Sequence, residues 1–254
     1  MGEDLNMKII SSDATKFTVE DVTGDSLTIN YHTLVGNNPS KNGNYIAIWQ
    51  GDDLQIPWGV SPLCMGEIDS SDRDDSYFKD GLNLTKRSYV VGYSVASQGE
   101  GGDNFCAVAL VPPGGDSRMG GKSADLARDG EPPAAHIAYL DKLRVESQYF
   151  APYISLESLQ ATVARIGFHM PIGYDPEAKM NWVGLWENRP DMYQKAPIYS
   201  VRVASDGDEG FVFLRWNFKR DATYTVGYFA SGWNDDEKKG KQNALVCSLT
   251  FKTN

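Results

Sequence analysis

The chain repeats itself, and that repeat constrains its fold more than any other feature. At an offset of 137 residues, Phe17-Thr-Val-Glu20 returns as Ile154-Ser-Leu-Glu157, and Ile29-Asn-Tyr-His32 returns as Ile166-Gly-Phe-His169. Gly36 and Pro39 return as Gly173 and Pro176, and Asn44-Tyr-Ile-Ala-Ile-Trp49 returns as Asn181-Trp-Val-Gly-Leu-Trp186, with no gap between. Tyr89-Val-Val-Gly-Tyr93 matches Tyr224-Thr-Val-Gly-Tyr228 at an offset of 135. The pattern calls for two copies of one domain rather than one enzyme core. Half of 254 residues is enough for each copy to bury a core of its own.

Strand signals dominate both copies. Leu27-Thr-Ile-Asn-Tyr-His32 alternates apolar with polar, the period of a half-buried strand. Tyr45 to Trp49 and Trp182 to Trp186 are apolar on both faces, as central strands are. Ser88 to Val95, Thr223 to Ala230, Phe105 to Val111 and Ala244 to Phe251 read as strands too. Phe211-Val-Phe-Leu-Arg-Trp216 is a further strand of copy two, with Tyr77 to Leu82 as its counterpart in copy one. Turn signals separate these runs, among them Asn37-Asn-Pro, Asn42-Gly and Asp206-Gly. His136 to Glu146 suits three helical turns or a first strand, and its place just ahead of the repeat favours the strand. The expected fold is all-β: two tandem immunoglobulin-like β-sandwich domains. Residues 1–111 form the first and 136–254 the second. The Gly- and Pro-rich stretch 112–135 is expected to be a flexible linker, since it holds too few apolar side chains to offset its ordering entropy.

Composition narrows the function classes. The net charge of −10 repels phosphate backbones, which argues against nucleic acid as a partner. No apolar run reaches the length that spans a bilayer, so no transmembrane segment is expected. The acidic start Met1-Gly-Glu-Asp lacks the layout of a signal peptide, and the three cysteines, Cys64, Cys106 and Cys247, follow no disulfide or metal spacing. These features lead to the expectation of a soluble, cytoplasmic protein with free thiols and no cofactor. There is no nucleophile elbow, phosphate-binding loop or dinucleotide fingerprint.

The cadence of each copy resembles SKICH-type immunoglobulin-like domains, in which a Trp-Ile/Val-Gly-Ile/Leu strand precedes a late Tyr-x-x-x-Tyr strand. Asn181-Trp-Val-Gly-Leu-Trp186 fits that pattern, and copy one departs from it at Tyr45 and Ala47. The resemblance covers about a third of each copy and rests on core positions. It implies a sandwich fold and a role in interaction or targeting, and it carries no catalytic residues.

Three groups are candidate site residues. His32 and His169 occupy equivalent positions, each after an aromatic and before a Gly-containing turn. Such a histidine either hydrogen-bonds its turn or contacts ligand and moves protons in a cleft shared by the two domains. No other His or Cys stands near in sequence to complete a metal set, so no metal site is expected. Tyr45, Ala47 and Trp49 share a strand face, as do Trp182, Gly184 and Trp186. A small residue between two rings leaves a slot that can stack a sugar, an aryl group or a cation. Trp58 and Trp233 stand in loops, where an exposed indole is a natural contact for ligand. The acidic stretches 67–80 and 235–237 read as solvated loops, and Glu20 with Glu157 as exposed strand charges.

The expected function is a non-catalytic binding module for a small-molecule, glycan or protein ligand, with Tyr45, Trp49, Trp58, Trp182, Trp186 and Trp233 as contacts. The alternative is a cofactor-independent enzyme of isomerase or cyclase type, using His32 or His169 in an aromatic pocket between the domains.

Overall fold

The computed structural model describes residues 5–22, 24–97, 104–113 and 147–254. The stretch expected to be the linker lies almost wholly outside the described residues, as does His136 to Glu146. In chain order the first strands are β1 (Met7–Ala14), β2 (Lys16–Val22), β3 (Leu27–His32), β4 (Tyr45–Gln50), β5 (Cys64–Glu67), β6 (Asp74–Lys79), β7 (Tyr89–Ser94) and β8 (Phe105–Val111). There follow β9 (Gln148–Phe150), β10 (Tyr153–Gln160), β11 (Val163–His169), β12 (Trp182–Glu187), β13 (Tyr199–Arg202), β14 (Glu209–Arg215) and β15 (Thr223–Phe229). The short hairpin β16 (Trp233–Asn234) and β17 (Lys239–Gly240) precedes the last strand, β18 (Leu245–Thr253). Among the described residues every regular element is a strand.

The strands build two sandwiches of identical plan. A three-stranded sheet β2-β3-β6 faces the five-stranded sheet β5-β4-β7-β8-β9, and β10-β11-β14 faces β13-β12-β15-β18-β1. The registers coincide as well. His32 pairs with Asp74 as His169 does with Glu209, and Ile48 pairs with Cys64 as Leu185 does with Tyr199. The counterpart of the Phe211 strand is therefore Asp74–Lys79, which starts three residues before the expected Tyr77. Across each interior the same rings meet: Tyr31 and Tyr93 with centroids 5.5 Å apart, Phe168 and Tyr228 likewise at 5.5 Å.

Alternation explains the cores. Ile46, Ile48, Val183 and Leu185 point inward and are at most 1% exposed. The tyrosine that opens each late strand ties down the loop before it, as the tyrosine corner of immunoglobulin-like sandwiches does. The backbone N–H of Asn83 donates to the Tyr89 hydroxyl at 2.7 Å, and that of Lys219 to Tyr224 at 2.9 Å. The equivalent asparagines Asn44 and Asn181 donate from Nδ2 to the carbonyls of Val95 (2.7 Å) and Ala230 (2.6 Å), fixing each central strand to the end of its neighbour.

One feature is not local to either copy. The strand β1 precedes β2 in sequence yet completes the other sheet, pairing antiparallel with β18. Reciprocally, β9 precedes β10 and pairs with β8 of the first copy. Asp13 stands opposite Ser248 and Phe150 opposite Val108, positions that correspond between the copies. Each sandwich thus borrows its edge strand from the other. The chain crosses between sheets at Thr15, which is fully buried and donates its N–H to the Val246 carbonyl at 2.9 Å, and at Ala151-Pro152. The strand Met7–Ala14, inside the expected 1–111 copy, is in hydrogen-bonding terms part of the second sandwich.

Loops add a second reciprocal contact. The Trp58 indole of the first copy donates to the Ile172 carbonyl at 2.8 Å and meets Tyr174 edge-on at 5.6 Å. Gly173, at φ +76°, brings its backbone so close that a Cβ there would lie 3.0 Å from that indole. Its counterpart Gly36, at φ +90°, abuts Asp191 and Tyr193 of the second copy in the same manner. Beside it Leu34, 1% exposed, inserts among Trp182, Trp186, Met192, Phe229, Trp233 and Leu245. Only a residue free to take positive φ and lacking a side chain fits either turn.

Candidate functional site

The central-strand aromatics are buried rather than presented to solvent. Tyr45, Trp49, Trp182 and Trp186 lie on the outer face of the five-stranded sheets, but each is at most 3% exposed. Loops cover them. The Trp49 indole donates to the Val60 carbonyl at 2.8 Å and that of Trp186 to Lys195 at 2.7 Å, while Trp182 donates to Ser231 at 3.0 Å and stacks on Phe229 at 4.0 Å. The slot expected at Gly184 is filled by the rings of Trp186 and Trp182 themselves. Gly92 accommodates Ile56, Phe105 and Trp49, and Gly227 accommodates Leu245, Met192 and Phe229. A ligand reaches Tyr45, Trp49, Trp182 and Trp186 only by displacing the covering loops.

The loop tryptophans are engaged as well. Trp58 holds the two copies together, and one of its edges lines an open groove of about 360 Å³ along residues 51–58. Trp233 is 8% exposed and donates to Asp235 at 3.0 Å. It sits at the back of an open groove of about 540 Å³ whose charges are mixed, with Asp235 also held by Arg202 at 2.9 Å and Glu237 by Lys239 at 2.6 Å.

The histidines lead to a different surface, the outer faces of the three-stranded sheets. His32 bridges two carboxylates. Its Nδ1 meets Asp74 Oδ1, and its Nε2 lies 3.1 Å from Asp13 Oδ1, so the residue where β1 leaves the second sandwich is tied to the first. Arg73 Nε is 3.1 Å from the other Asp74 oxygen. His169 keeps the same position with other chemistry, its ring edge-on to Phe150 at 5.3 Å and Tyr153 at 5.2 Å. Phe150 is the counterpart of Asp13, so both histidines touch the residue at the strand crossing. Neither bonds the turn that follows it.

Beyond His32 a shallow groove of about 470 Å³ crosses the first face, lined by Lys16, Thr18, Asn30, His32, Asp74 and Ser76. Thr18, Asn30 and Ser76 form a row across the three strands. Phe78, 61% exposed, stands two residues beyond Ser76 on the same face. The hydroxyl of Ser70 and the N–H of Ser76 hold the Asp75 carboxyl below its ordinary range at the groove's edge.

The second face carries Ser155, Gly167 and Phe211 in the equivalent row, with Tyr153, His169 and Glu209 on one side and Arg165 and Phe213 on the other. Tyr153, Phe211 and Phe213 are 54%, 46% and 44% exposed. The two phenyl rings meet edge to face at 5.3 Å, and the Arg165 guanidinium lies 3.9 Å over Phe211. Glu157, a bulge residue like Glu20, pairs with Arg165 Nε at 2.8 Å, although the Nε–H points off the hydrogen-bond line. His32/His169, Asp74/Glu209, Phe78/Phe213 and Thr18/Ser155 thus stand at equivalent outward positions where no core packing requires them. The cue available in sequence was Phe211-Val-Phe-Leu, apolar in both strand phases, so that one phase must face out.

No family model matches the chain, and no curated protein does. Among solved structures, the FN1–FN3 domains of chicken CNTN1 align over 90% of this chain and 60% of theirs, at 14% identity and a TM-score of 0.24. The two C2 domains of Extended-Synaptotagmin 2 align over 92% of this chain and 94% of theirs, at 7% identity and a TM-score of 0.19. The chain spans about three fifths of the length of the first of these. The immunoglobulin-like sandwich assignment rests on the strand order and registers themselves. No helix among the described residues is long and apolar enough to cross a membrane.

Proposed function

We propose that the chain is a non-catalytic binding module whose ligand contacts are the outer faces of the two three-stranded sheets. The observation that carries the reading is the matched set of outward residues, His32/His169, Asp74/Glu209, Phe78/Phe213 and Thr18/Ser155. His32 and Asp74 also serve the fold through their link to Asp13, so the exposed pairs Phe78/Phe213 and Thr18/Ser155 support the reading most directly. The large exposed rings Phe78, Phe211, Phe213 and Tyr153 are of the type that anchors glycans and protein surfaces. The grooves among the described residues are open to solvent, which suits binding better than a reaction that must exclude water. A SKICH-type identity, a cytoplasmic location and the division into units 1–111 and 136–254 joined by a 112–135 linker belong to the same proposal.

The test is a labelled full-length chain on parallel arrays of immobilised glycans and immobilised proteins. A Phe78→Ala/Phe213→Ala double variant should keep its melting temperature and lose roughly tenfold or more of its signal on whichever array the parent chain recognises. An undiminished signal in the variant would refute the reading.

A further inference from the structure

We infer that the groove on the first face takes a neutral saccharide unit, and that the two faces together engage a polysaccharide. The inference rests on the binding role proposed above and narrows it to one ligand class. The row Thr18, Asn30, Ser76 runs across three adjacent strands, so it extends roughly 10 Å at the usual strand spacing. Each of these side chains both donates and accepts, as the hydroxyls around a sugar ring do. Phe78 stands roughly 7 Å further along β6, where an exposed ring can stack the apolar C–H face of a sugar.

Charge narrows the class. Asp13, Asp72, Asp74 and Asp75 surround the groove, while Lys16 and Arg73 are the nearby cations, and the chain as a whole carries −10. A phosphate, sulfate or uronate would approach an acidic surface carrying few donors without lone pairs. A protein partner would prefer a dry aromatic anchor, and among the described residues only one large apolar side chain, Phe78, is exposed on this face. The second face complements the first. It offers the exposed rings of Tyr153, Phe211 and Phe213, the hydroxyls of Ser155 and Tyr153, and the Arg165 guanidinium that lies over Phe211. Two such faces on one chain gain effective concentration against a ligand that repeats, as a polysaccharide does.

The experiment is affinity electrophoresis of the full chain through gels containing soluble β-glucan, α-glucan, mannan, xylan or galactan, with polygalacturonate as the anionic comparison. At least one neutral polymer should retard the chain, and polygalacturonate should not. Thr18→Val/Ser76→Ala and Phe78→Ala should each weaken the retardation roughly tenfold with the melting temperature unchanged. Free migration in every neutral gel, tighter retention by polygalacturonate, or face variants that migrate like the parent would each overturn the inference. A parallel column of immobilised chain separates the two claims. If the neutral gels fail but the immobilised-protein array binds the parent chain and not the Phe78→Ala/Phe213→Ala variant, with the column reproducing that difference for the same array protein, the saccharide class falls and the binding faces stand. If both fail, both claims fall.

Discussion

Leu34→Ala tests whether the two sandwiches stand as one folded unit. Leu34 belongs to a turn of the first copy, yet its side chain is 1% exposed among Trp182, Trp186, Met192, Phe229, Trp233 and Leu245 of the second. Truncation removes three carbons, about 2.4 kcal/mol at about 0.8 kcal/mol for each. The rings around the vacated space are pinned by indole hydrogen bonds to Lys195 and Ser231, so the site collapses poorly and a cavity term adds to the transfer term. The expected loss is about 3–5 kcal/mol. For a chain of this size that lowers the melting temperature by roughly 6–20 °C. The neighbouring Val35→Ala, at a side chain 64% exposed, is the control and should fall within about 0.5 kcal/mol of the parent. Urea unfolding followed by tryptophan fluorescence and by far-UV circular dichroism reads both. One shared transition, displaced as a whole in Leu34→Ala, is expected. A loss below about 1 kcal/mol, or a first-copy transition that moves while the second stays put, would show that the burial does not couple the copies.

Trp58→Phe keeps the ring but deletes the donor to the Ile172 carbonyl at 2.8 Å, and should cost about 1–2 kcal/mol in the same urea assay, with Trp58→Ala costing more. All three cysteines are free, so thiol titration should find three thiols after denaturation without reductant. In the native state the fully buried Cys106 and Cys247 should resist the reagent. Cys64, its thiol pushed up by burial, should label more slowly than glutathione at pH 8 and gain rate as pH rises. Burial also pushes up the phenols of Tyr93, Tyr174, Tyr193 and Tyr228. The folded state then keeps protons that the unfolded chain releases near 9.0 for thiols and 10.0 for phenols. The stability these groups contribute is complete below that range and is lost as pH climbs through it, so urea midpoints should hold steady to about pH 8.5 and fall above it.

Most strands were legible because their signal is local. Leu27–His32 carries its own alternation and Phe105–Val111 is a short continuous apolar run, and both appear with the bounds read from sequence. The exchange of β1 and β9 was not legible, since nothing in Met7–Ala14 says whether its hydrogen-bonding partner is β8 or β18. Hydrophobic pattern specifies a strand and its face, and leaves open which of two equivalent edges it joins. The burial of the expected ring contacts has a related cause. Tyr45, Trp49, Trp182 and Trp186 do face away from the sandwich interior, as alternation requires, but whether a loop then covers them depends on Val60, Met192 and Lys195 folding back. The exposed faces gave a weaker signal. Phe211 and Phe213 were visible as a strong strand, and its two apolar phases implied a ring-bearing outer surface.

The reciprocal edge strands have a consequence for how such a chain could have arisen. A protein with a single copy would carry an edge strand that its own sheet does not use and a sheet lacking its edge. It could satisfy both by trading strands with a second molecule, as a symmetric homodimer. In that ancestor every substitution would appear on both faces at once. Joining two genes end to end removes the constraint while leaving the trade in place. One surface can then keep its hydroxyls and its His32–Asp13 link, while the other replaces that link with Phe150 and gains Phe211. Division of labour between the two halves is what the fused chain makes available to selection and the homodimer does not.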